Sequence, residues 1–118
     1  MATKPINRYT VQESNNLKIH ENYSSEQITC AEDDTAVEGT NWATGSDGPA
    51  KSIIIVPYTG DAANVIKIRL KIGGSYGDYI QLLFDDFPLT INKLLIDQVE
   101  MQTSSGSTDE IFTVISYH

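Results

Sequence analysis

Two carboxylate pairs, one tryptophan and one cysteine are the side chains here whose types could do chemistry. Asp33-Asp34 and Asp85-Asp86 each stand at a turn. Oxygen-rich loops can ligate calcium, but the twelve-residue loop with its glycine and distal glutamate is missing. The plainer use of such pairs is to stay solvated or cap local turn amides. A glycosidase could draw two carboxylates from distant positions, yet no spacing selects a pair. Zinc would need clustered His and Cys, and only His20, His118 and Cys30 exist, at no usual spacing. Cys30 lies in "QITCA", which reads as strand, so a small buried side chain is expected there rather than a nucleophile. No glycine-rich loop follows a strand and opens a helix, and "GGSYGD" (73–78) reads as a hairpin turn. The expectation is a non-enzymatic chain with no catalytic residue, no metal and no cofactor.

Binding is better supplied than catalysis. Trp42 sits in "GTNWATGSDG", where it could fill a partner's pocket or stack on a sugar with Asn41 and Asp47, helped by Tyr76 or Tyr79. Its plainer role is to anchor a long loop on the domain's own core. "NVIKIRLKIGG" (64–74) alternates Ile66, Ile68, Leu70 and Ile72 with Lys67, Arg69 and Lys71. One face is apolar and the other cationic, in a chain of net charge −8. A solvated outer face would suffice. Charge segregation offers more: residues 51–75 carry four bases against Asp61, and residues 78–110 carry Lys93 against seven acids. Such a chain is complementary to copies of itself, so Trp42, Lys67, Arg69 and Lys71 are the expected partner contacts.

The elements that must hold these residues read as strands. With 118 residues and 40% hydrophobic content, the chain makes one folded domain with a modest core. Its acidity disfavours nonspecific binding to nucleic acid or anionic membranes. No apolar run is long enough to span a bilayer. The start, "MATKPINRYT", has no apolar signal core, and a lone cysteine fits a reducing compartment. The sequon at Asn22 is then not expected to be used. Strands are predicted at 8–12, 27–31, 51–58 and 64–72, within 79–87 ahead of a turn at Asp85-Asp86, and at 89–102 and 111–117. For 89–102 a helix competes, but alternation and the neighbouring strands favour β. Turn signals every ~8–14 residues suit a sandwich or barrel. The predicted fold is all-β, a jelly-roll or related antiparallel sandwich or barrel. A polar, loop-rich N-terminal segment precedes it, with residues 1–25 as an extended arm and 26–118 as the domain. The predicted core is Ile53, Ile55, Ile66, Ile68, Leu70, Ile72, Ile80, Leu82, Phe84, Leu94, Ile96, Ile111 and Ile115.

The last stretch, "FPLTINKLLIDQVEMQTSSGSTDEIFTVISYH", resembles the ends of small accessory structural proteins of tailed bacteriophages. In those, a Pro-containing approach strand leads to a strand of the "KLLIDQVEMQ" kind, then a Ser/Gly/Thr turn and a short apolar final strand. The matching residues are Phe87–Ile91, Lys93–Gln102, Ser104–Thr108 and Ile111–Tyr117. This resemblance implies a capsid decoration (cement) or head–tail accessory subunit, made in the host cytoplasm and located in the virion. Its partners would be itself, as a trimer or larger ring, and a major capsid or other virion protein. The alternative expectation is a carbohydrate-binding or lectin-like receptor-binding domain using Asn41, Trp42 and Asp47.

Overall fold

A computed structural model describes residues 23–30, 36–104 and 110–118. The strand expected at 8–12, the N-terminal arm up to residue 22, His20 and the Asp33-Asp34 pair lie outside the described residues.

Among the described residues, nine strands form two antiparallel sheets. One sheet (A) has the order β1 (Tyr23–Cys30), β9 (Glu110–Tyr117), β3 (Ala50–Thr59), β7 (Leu89–Ile96). The other (B) runs β2 (Val37–Glu38), β8 (Gln98–Ser104), β4 (Val65–Ile72), with β4 then pairing both β5 (Ser75–Tyr76) and β6 (Ile80–Leu83). Consecutive strands alternate between the sheets apart from the β4–β5–β6 hairpin. If β5 and β6 together fill one strand position, this is the strand order of a jelly roll. The all-β expectation therefore holds. Gly73 (φ 62°) and Gly74 (φ 85°) make the tight turn between Ile72 and Ser75, where two left-handed residues match the strands' twist.

The sheets close over Ile28, Cys30, Ile53, Ile55, Ile66, Ile68, Ile96, Val99, Met101, Phe112 and Val114. Phe84 and Phe87 lie against Phe112, ring centres 5.2 and 4.9 Å away. At the β9 start a buried carboxylate, Glu110, accepts from the Asp61 amide at 3.0 Å and from the Asn64 side-chain amide. Gly60 gives it room, because a Cβ there would fall 1.6 Å from Glu110 Oε2.

Several expectations change. The stretch 89–102 is two strands, not one, divided at Asp97 between different sheets. The Asp97 amide donates to Lys71 O (2.7 Å), its carbonyl accepts from Trp42 N (2.7 Å), and its carboxylate accepts from Gly74 N (2.8 Å). A strand alternating over that junction would bury the wrong partners. Ile111 and Ile115 are only half-buried, because β9 turns Phe112 and Val114 inward. Both parities of "IFTVISY" are apolar, and the set holding the phenyl ring fills the core. Ile72, Ile80 and Leu94 are exposed by 41, 51 and 41%. Ile80 pairs with Ile68 and so shares its inward face, but among the described residues no strand of sheet A covers it.

Candidate functional site

The cationic face of β4 meets its own chain. Lys67, Arg69 and Lys71 stand opposite Gln102, Glu100 and Gln98 of β8. Arg69 grips Glu100 with two donors, Nε to Oε1 at 2.9 Å and Nη2 to Oε2 at 3.0 Å. The guanidinium lies over the rings of Tyr76 (4.4 Å) and Tyr79 (4.7 Å), the geometry of a cation–π contact. Tyr79 also donates its hydroxyl to Glu100 Oε1. The Tyr76 hydroxyl donates toward Gln98 Oε1 (2.9 Å) and Glu38 Oε1 (3.1 Å). Glu100 is left 3% exposed on the outside of a sheet.

These contacts set the protonation of the cluster. Burial alone would raise the Glu100 carboxyl, but hydrogen bonds from Arg69 and Tyr79 and the nearby positive charge hold it below its ordinary value. The hydrogen bond to Glu100 holds Arg69 above its own. Burial, then the bond to Glu38, pushes the Tyr76 phenol up to about 12. Tyr79 is raised too, by burial and then by Glu100. Lys71 reaches only the Tyr76 ring, at 5.7 Å, and no ion pair to Lys67 or Lys71 forms among the described residues. Of the acids expected to form a complementary surface, three are internal and Asp78, Asp85 and Asp86 are exposed. Glu100, Asp97 and Glu110 are buried, and Asp86 caps its own turn through the Leu83 amide at 2.9 Å.

The outer face of sheet A is built differently. Rows of cross-strand neighbours run Ser25–Ile115–Ile54–Thr90, Gln27–Thr113–Val56 and Tyr23–Tyr117–Ser52–Asn92. No charged side chain occurs in these rows. They alternate with the buried Ile28, Ile53, Ile55, Phe112 and Val114, so they face outward. Ile54, Val56, Thr113 and Ile115 are half-buried, Tyr23 is 65% exposed, and its ring leans on Tyr117 at 6.4 Å. Sequence reasoning passed over this surface. Its signal was present: "KSIIIVPY" and "IFTVISY" are uncharged in both parities past their first residue, whereas a two-layer sandwich needs only one apolar face per strand.

Trp42 packs inward. It is 5% exposed, and its ring meets the edge of His118 at 6.0 Å. Asn41, Trp42 and Asp47 nevertheless come together, lining a hollow of about 210 Å³ with Ser24, Thr40 and His118. His118 Nδ1 stands 2.8 Å from Gly48 O, and a carbonyl only accepts, so that nitrogen carries the proton. In the neutral ring Nε2 then accepts from Ser116 Oγ (3.0 Å), and Ser116 accepts from Ser24 (2.7 Å). Tyr76 and Tyr79 lie elsewhere, in the Arg69 cluster.

Cys30 is a buried cysteine outside any disulfide. Among the described residues no three His, Cys, Asp or Glu side chains gather as a metal site, and no helix is long and apolar enough to cross a membrane. Fold and surface together define an antiparallel β-sandwich with one face centred on a matched Arg69–Glu100 pair and one whose central rows hold no charge. Comparison with protein-family models, with curated proteins and with solved structures finds no match.

Proposed function

We propose that this chain is a non-enzymatic structural subunit of a tailed-bacteriophage virion, of the capsid decoration or head–tail accessory kind, placed in its assembly by the outer face of sheet A. The observation that carries the reading is that face: three cross-strand rows without a charge in a chain of net −8. Depletion of charge at the centre with tyrosine at the margin is the composition of a protein–protein contact. The bacteriophage setting comes from the resemblance of residues 87–117, and jelly-roll sandwiches serve in viral capsids by fold-level analogy. Light scattering tests the self-association half of the reading. The expected result is a defined oligomer that persists at high salt and loses mass in Thr113→Lys. A monomer at every concentration would sink that half.

A second reading has one observation behind it. Asn41, Trp42 and Asp47 share a hollow with three hydroxyl residues, Ser24, Thr40 and Ser46, as a small sugar site would require. With the indole face buried, hydroxyls and Asp47 would hold the ligand rather than stacking. Saccharide titration of Trp42 fluorescence tests it, and an unchanged spectrum would remove it.

A further inference from the structure

The open side of the sandwich carries a second contact. β1 lies against β2 and β8, and β7 lies against β4. The β7 edge of sheet A and the β5/β6 edge of sheet B therefore fall on the same side. There the inward face of β4 runs out beyond its cover. Leu70, Ile72, Tyr76 and Ile80 line an apolar hollow of about 370 Å³ with Asp78 at its wall. Beside it, β7 presents Leu94 and Leu95, exposed by 41 and 57%. Two residues beyond Leu95, the Asp97 amide bonds Lys71 O, next to Ile72, so knob and hollow adjoin. Lys93, just before the leucines, is exposed and holds φ 63°, the one described non-glycine residue with positive φ. That left-handed turn belongs to the irregularity where β7 runs from Asn92 to Ile96 against only Ser52 to Ala50 of β3, and it leaves the Lys93 side chain exposed with no ion pair among the described residues.

We infer that two copies of this chain pair about a two-fold axis across the open side, Leu94 and Leu95 of each entering the Leu70/Ile72/Ile80 hollow of the other. Lys93 of one copy then meets Asp78 of its mate, twice per pair. This charge complementarity selects a second copy as the occupant. Knob and hollow share one side, which suits a self-complementary pair; a three-fold ring would need them on different faces. The inference rests on the reading of the chain as a self-assembling subunit.

Sedimentation of charge reversals tests it, in the Thr113→Lys background so that the open side alone is read. The background is expected to be a dimer. Lys93→Asp or Asp78→Lys should weaken it by about tenfold or more, since each places like charges together twice. Combining the two reversals should restore it. Single reversals without effect, a double variant that stays weak, or a background already monomeric would overturn the inference while leaving sheet A self-association standing. A wild-type monomer would instead remove the self-assembly reading on which it rests.

Discussion

The outward faces of the two sheets solve different problems with the same strand geometry. Sheet B packs charge against charge: Arg69, Glu100, Tyr76 and Tyr79 cover one another and leave a carboxylate almost without solvent. Sheet A places serine, threonine, isoleucine, valine and tyrosine outward in three rows that hold no charge. A cationic strand in an acidic protein invites a search for a foreign anion, yet its central charge is already matched one strand away. The face with no charge is the one the proposed contact uses.

The largest expected break in this contrast is Glu100→Ala. It strips the partner from Arg69 and from the Tyr79 hydroxyl, and should cost about 2 kcal/mol by urea denaturation. Thr113→Ala at the matching place on sheet A should stay within about 0.5 kcal/mol. Equal losses at both sites would erase the distinction.

Next in size is the response to acid. The Glu100 carboxyl is depressed in the folded state from an ordinary value of 4.5. Its contribution is therefore complete above pH 4.5 and is lost as pH falls through the lower folded value. Glu100→Gln should flatten this limb of a stability–pH curve, and an unchanged limb would contradict the assignment. At the alkaline end the sign reverses. Tyr76 is raised from 10.0 to about 12. Its unfolded form loses the proton first, so stability should fall as pH rises from 10 to about 12. Tyr76→Phe should remove part of that fall, as read by circular dichroism against pH.

The smallest effect on the fold, and the sharpest on the contrast, belongs to Lys67→Gln. With no ion pair at Lys67 among the described residues, stability should move by less than about 0.5 kcal/mol and oligomer mass not at all. A loss of mass would return the cationic strand to the interface.

Much of the fold was legible because alternation is a local property. β4, the Gly73-Gly74 turn and the inward Ile53, Ile55, Ile66 and Ile68 follow from the pattern alone. What failed depends on what lies across the gap. Ile72 and Ile80 keep the inward parity, but burial needs an opposing sheet, and sheet A ends short of them. The break at Asp97 left no mark in a run apolar on both sides; three hydrogen bonds from distant residues define it. Between Phe112 and Ile111, alternation is silent, and ring packing with Phe84 and Phe87 decides. Arg69 and Trp42 were singled out by type, but type does not show whether a side chain is already engaged at home.

Light scattering of the wild-type chain beside Thr113→Lys, at matched concentration and in low and high salt, reads whether the outer face of sheet A holds the subunits together. The expected result is a wild-type oligomer that salt does not dissolve, and a smaller species for the variant that keeps its β fold by circular dichroism. Equal masses for both proteins, or a wild type that falls apart in salt while Thr113→Lys behaves identically, would contradict the assignment of the uncharged face as the contact surface.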